Sequence, residues 1–109
     1  MYEWAEEMNC AVTVCDTDGV ILFMNKKSRE TFAKYGNMVG KNLKSCHNPE
    51  SIEKMKNMLA TGGSNTYTIE KEGVKKMIYQ TVWKKNGTVA GLVEISMVLP
   101  DIVPHRIRK

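Results

Sequence analysis

Apolar positions along this chain switch between helical and strand spacing, and each switch marks an element. Trp4 and Met8 stand four apart, which predicts a short amphipathic helix over 2–9. Ala-Val-Thr-Val-Cys at 11–15 alternates in the manner of a strand, and Val20 to Met24 is a five-residue apolar run of strand length. Asp16-Thr17-Asp18-Gly19 between them has turn chemistry, so the two strands form a hairpin. Asn25 then caps a helix over 26–35, with Phe32 and Tyr35 facing the core. Gly36-Asn37 ends it, and a short segment covers 42–47. Asn48-Pro49-Glu50 is a strong helix start: a cap, a proline at the first helical position, an acid in the first turn. That helix runs to about Ala60 with Ile52, Met55 and Leu59 on its apolar face, and Gly62-Gly63 stops it. Strands follow over about 65–71, 74–84 and 88–98, the last two joined by Asn86-Gly87, a type I′ hairpin signal. Pro100 and Pro104 leave the tail irregular. The expected fold is α+β: a five-stranded antiparallel sheet, helices over one face, and an N-terminal flanking helix.

Composition adds bounds. The chain has 109 residues, so it is read as one domain, with a core over about 9–98 and an irregular basic tail over 99–109. Its hydrophobic share of 42% and charged share of 26% are those of a globular protein. No apolar run approaches the ~20 residues of a membrane span. The first residues are acidic, unlike a secretory signal, which leads to an expected cytoplasmic location and no membrane partner. Net charge is +4, and half of the excess sits in the tail, where Arg106, Arg108 and Lys109 oppose only Asp101. A solvated tail explains that better than a nucleic-acid stripe, so no nucleic-acid partner is expected. Cys10, Cys15 and Cys46 have no disulfide framework spacing and are expected to be reduced.

Several motifs carry a family resemblance. Asp16-x-Asp18-Gly19-x-Ile21-x-x-x-Asn25 resembles the opening hairpin of the PAS domain and the asparagine after it. Val39-Gly40-Lys41 is similar to the hydrophobic-Gly-Lys step before the short middle helix of that family, and Gly91-Leu92-Val93-Glu94-Ile95-Ser96 to its last strand. Cys46-His47-Asn48-Pro49 is similar to a Cys-His-Pro-Pro step of one subgroup of bacterial and archaeal sensors, with Asn48 at the first proline position. The chain departs from the usual Asp-Ile-Thr ending, having Val98-Leu99-Pro100 instead. The resemblance implies a sensory or interaction module with a pocket between sheet and helices. It does not name a ligand, because members hold haem, flavins, carboxylic acids, metals or nothing. The flavin photochemistry motif is not present between Leu43 and His47.

Pairing strands through Asn86-Gly87 as a regular two-residue hairpin sets Lys85 opposite Thr88, Thr81 opposite Leu92 and Tyr79 opposite Glu94. One face then carries Met77, Tyr79, Thr81, Leu92, Glu94 and Ser96, and the other Ile78, Val82, Val93 and Ile95. By comparison with family members, the mixed face is expected to line the pocket together with Phe23, Phe32, Met38, Cys46, His47 and Met55. The competing reading makes Tyr79 and Glu94 an outward cross-strand pair. Ile78, Val82, Val93 and Ile95, with Tyr2, Trp4 and Met8 of the first helix, are expected to form a homodimer interface.

Cys46-His47 sets a thiol beside an imidazole, but the only other histidine, His105, lies in the tail. No enzyme is therefore expected, and a Cys46-dependent activity is the third reading. Haem ligation by His47 is the second, and the cofactor is otherwise unnamed. No other metal is expected, since the Cys and His spacing is not that of a zinc site. The bland reading has His47 and Asn48 capping the helix. The first reading is a sensory module that binds a small ligand or a protein partner and regulates an attached or associated output protein.

Overall fold

A computed structural model describes residues 2–45 and 47–109. The elements are α1 (Glu3–Glu6), β1 (Ala11–Asp16), β2 (Ile21–Met24), α2 (Lys26–Thr31), 3₁₀ turns at Ala33–Tyr35 and Leu43–Ser45, α3 (Pro49–Thr61), β3 (Ser64–Lys71), β4 (Val74–Lys85) and β5 (Thr88–Val98). The strands form one antiparallel sheet in the order β2-β1-β5-β4-β3, so the first hairpin joins the last strand at the centre.

Local chemistry sets most of these bounds. The Asp16 carboxylate accepts the backbone N–H groups of Asp18 and Val20, each at 2.9 Å, and closes the first turn. The Asn48 side chain accepts the Ser51 N–H at 2.8 Å and starts α3 beside Pro49. The free edge of β2 is covered by the 40–43 segment: the Ile21 N–H donates to the Lys41 carbonyl, and the Gly40 N–H to the Ile21 carbonyl. Two apolar clusters fill the space beneath the helices. Cys15, Met58 and Leu92 form one, and Ile21, Met24 and Met38 the other, with Leu43 against both. Complete burial of a side chain such as Ile21 contributes about 2 kcal/mol.

Three expectations need correction. The first concerns register. Lys85 faces Thr88 and Lys84 faces Val89 as a regular hairpin requires, but Trp83 then faces Gly91, which leaves Ala90 as an extra residue in β5. Beyond this bulge every partner moves by one: Tyr79 faces Ile95, Gln80 faces Glu94, and Ile78 faces Ser96. Val82 packs with Leu92 and Cys15 beneath α3, so the helix side carries Ile78, Gln80, Val82, Leu92, Glu94 and Ser96. Met77, Tyr79, Thr81, Val93 and Ile95 are on the outer side. The second concerns α1, which is one turn rather than a helix over 2–9. Its buried residue is Ala5, whereas Trp4 is 70% exposed. The Asn25 amide takes both the Ala5 and Cys10 carbonyls and turns the chain inward between them. The third is the break in the expected 26–35 helix: α2 stops at Thr31, and tighter bonds from the Tyr35 N–H to Phe32 and the Gly36 N–H to Ala33 follow.

A second tie holds α1. The Arg29 guanidinium donates to both Glu6 carboxylate oxygens, at 2.8 and 3.0 Å, and to the Met24 carbonyl. The bond from Arg29 holds the Glu6 carboxyl below its ordinary range. A depressed carboxyl stabilises the fold above its unfolded-state pKa, and that contribution is lost as pH falls through the folded value. Replacing Glu6 by Gln is therefore expected to flatten the acid limb of stability against pH in urea titrations. An unchanged acid slope would show that the pair carries no stability.

Candidate functional site

The helix side of the sheet is hollow where β1 and β5 pass beneath α3. Thr13 and Glu94, register partners in β1 and β5, form its floor. One lobe, of about 40 Å³, lies under Met55 and Met58 of α3. A second, of about 130 Å³, lies between Ile21, Phe32 and Met38. The roof does not cover the whole sheet. Towards β3 the space widens into a cleft of about 550 Å³ between Tyr35 and the β3–β4 hairpin, bordered by Ile69 and Lys76.

A polar line crosses the floor. The Asn65 amide donates to the Gln80 side-chain oxygen at 3.2 Å, and the Gln80 amide donates to Glu94 Oε1 at 2.9 Å. The three residues occupy β3, β4 and β5, and their alignment follows from the bulge. Each side-chain amide has its donor and acceptor ends fixed by the next. Thr13 and Ser28 share a 2.6 Å hydroxyl contact that fastens the floor to α2. His47 borders both lobes, and its Nδ1 donates to the Leu43 carbonyl at 2.9 Å. Burial, and then the Glu94 charge, push the Tyr67 phenol up. Burial pushes the Cys15 thiol up as well, which keeps it protonated and unreactive.

Of the residues expected to line the pocket, Phe32, Met38, His47, Met55, Leu92, Glu94 and Ser96 surround this hollow or its mouth. Met77, Tyr79 and Thr81 do not, because the bulge turns them outward. Phe23 is also outside: it faces Val14 and stacks on Tyr2, with ring centroids 4.5 Å apart. Cys46 lies outside the described residues. In the expected interface set, Ile78 and Val82 sit on the helix side; Val93 and Ile95 belong to the outer face by register, and Val93 also borders the lobe under α3. Thr13, Gln80 and Asn65 were not anticipated. Gln80 and Asn65 depend on the bulge, but Thr13 was open to detection, being the polar residue of the otherwise apolar run Ala11–Cys15.

The residues do not fit a haem well. His47 has a suitable hydrogen bond on Nδ1, but each hollow it borders, from about 40 to about 220 Å³, is smaller than a tetrapyrrole. The charged group they share is a carboxylate, Glu94, facing a ligand that itself carries carboxylates.

A bulged, twisted antiparallel sheet with a helix-roofed hollow is the PAS fold, and comparison with solved structures agrees. The PAS domain of histidine kinase ThkA superposes with a TM-score of 0.66 at 22% identity, over 83% of this chain and 99% of that one. A sensory box sensor histidine kinase from Vibrio cholerae gives a TM-score of 0.62 at 18% identity, over 90% and 88%. VqmA bound to DPO gives 0.65 at 14% identity, and this chain spans 54% of that protein. No family model matches the sequence, and no curated protein matches it significantly. The chain has the PAS fold, and its fold neighbours include sensory domains of histidine kinases.

Proposed function

We propose that this domain is a sensory module that binds a small molecule in the hollow beneath α3 and reports its occupancy through the outer face of the sheet. The observation that carries the reading is the Asn65–Gln80–Glu94 line, which presents an oriented polar group in a cavity with mainly apolar walls. That combination is characteristic of small-ligand sites. One of its fold neighbours is described bound to DPO, which is consistent with this use of the scaffold.

The outward readout is a homodimer, or a signalling partner, on the face formed by Tyr79, Val93, Ile95 and Met97. Tyr79 and Met97 are 38% and 40% exposed there, beside Val93 and Ile95 and flanked by Thr66, Thr68 and Thr81. The reading is of a binding domain rather than an enzyme, at work in the cytoplasm; no helix among the described residues is long and apolar enough to cross a membrane.

Native mass spectrometry of freshly purified protein tests both parts. The expected spectrum shows a dimer carrying a small-molecule mass that is lost on denaturation. Met55→Trp, which plugs the lobe under α3, should lose that mass while remaining folded. Ile95→Lys should give a monomer. A monomeric parent, or a Met55→Trp protein that keeps the same cargo, would contradict the corresponding half.

A further inference from the structure

We infer that the hollow is a receptor for a small organic cation: a protonated nitrogen against Glu94, with an aromatic or aliphatic body between Phe32 and Met38. This rests on the sensory reading above and deepens it by naming the ligand class.

The charge balance of the lining is the first argument. Among the described residues bordering the two lobes, Glu94 is the only carboxylate, and no lysine or arginine joins it there. Lys54 and Lys76 border only the wider openings beyond. Among the described residues, no lysine or arginine is in salt-bridge contact with Glu94. A ligand cation here would make a charge-assisted contact with Glu94 that no lysine or arginine of the lobes supplies.

The second argument is geometric. Gln80 occupies Oε1, and among the described residues Oε2 has no hydrogen-bond donor. Because Asn65 holds the Gln80 oxygen, the Gln80 amide cannot flip to offer a carbonyl to Glu94 without breaking that bond. The line therefore fixes Glu94 as an acceptor with one open oxygen. Around it, Met24, Met38 and Phe32 provide a polarizable, adaptable wall suited to an apolar or aromatic body.

Three probes of one shape and different charge decide the matter: benzylamine, benzyl alcohol and benzoate, each titrated into the full chain at neutral pH and followed by amide NMR shifts. Benzylamine is expected to move the Thr13 and Glu94 signals and to bind about ten- to a hundredfold more tightly than benzyl alcohol. Benzoate should not bind. Glu94→Gln, which keeps the shape and the bond to Gln80 open to either amide end, should remove the preference for the amine, so that benzylamine and benzyl alcohol bind within a fewfold of each other. Benzoate binding as tightly as benzylamine, or an amine preference that survives Glu94→Gln, would overturn the cation assignment alone. If none of the three shifts a signal in the folded protein, the ligand-binding hollow itself is refuted.

Discussion

Gly91→Ala is expected to destabilise the fold by about 3 kcal/mol, lowering Tm by roughly 10–15 °C. The cause is the bulge. Gly91 sits at φ 157° between Asp16 of β1 and Trp83 of β4. A Cβ there would overlap the Cys15 backbone carbonyl and come within 2.6 Å of the Trp83 indole nitrogen. That indole already donates to the same carbonyl at 2.9 Å, across the β5 backbone. A carbonyl in the middle of a ladder cannot move aside, whereas an indole can. Trp83→Phe added to Gly91→Ala should therefore recover little of the loss. Gly62, which ends α3 at φ 72° with open space around it, is the control. Alanine there meets backbone strain alone and should cost about 1 kcal/mol. Equal costs at the two glycines, measured by urea denaturation, would refute the close-approach explanation. The chain could escape the clash by pairing β4 and β5 without the extra residue. Glu94 would then face Tyr79 instead of Gln80, so surviving Gly91→Ala protein should also lose the oriented carboxylate of the hollow.

The same bulge separates what was legible in the sequence from what was not. Element types follow from local chemistry, and the local signals are strong: Asn48-Pro49 for α3, Asn86-Gly87 for the last hairpin, the Asp16 turn for the first. Their order, with the motifs around Asn25 and Gly40, made the fold recognisable. Face assignment is different, since a single inserted residue reverses every later side chain. Beside the inserted residue, Gly91 lies against the Cys15 carbonyl, 76 positions away in sequence, where no side chain fits. No pattern of apolar residues in β4 and β5 reports such a contact. Glu94 was nevertheless assigned to the hollow, because the face was chosen from the polar residues of β5, whereas Tyr79 was placed through an expected pairing with Glu94 that the bulge moves to Ile95. The short α1 has a similar explanation: Trp4 and Met8 are helically spaced, but a buried amide elsewhere ends the helix after one turn.

That amide belongs to Asn25, and replacing it should have the largest effect of any single polar substitution in the protein. Asn25 is fully buried and makes four side-chain bonds. Its oxygen accepts the Val12 N–H at 2.9 Å and the Ser28 N–H at 3.0 Å; its nitrogen donates to the Ala5 and Cys10 carbonyls, both at 2.8 Å. It thus joins α1, β1 and α2 at one point, a wider role than the helix cap read from sequence. Asn25→Ala leaves two N–H groups and two carbonyls unpaired in a dry site and should cost about 4 kcal/mol or more. Asn25→Asp is more diagnostic. It keeps the acceptor for Val12 and Ser28 but sets a second oxygen against the Ala5 and Cys10 carbonyls, so the folded state favours the protonated acid. An acid whose folded pKa is raised contributes stability fully below its unfolded pKa, and that stability is lost as pH rises through the folded value. The deficit of Asn25→Asp relative to the parent should therefore shrink between about pH 8 and pH 5. That of Asn25→Ala should stay constant over the same range. A pH-independent deficit for Asn25→Asp would mean that its second oxygen does not face those carbonyls. The consequence extends to the hollow, because the Ser28 N–H held by Asn25 positions the Ser28 hydroxyl that fastens Thr13 to α2. Asn25→Asp at neutral pH should therefore loosen the floor of the binding site as well as the docking of α1.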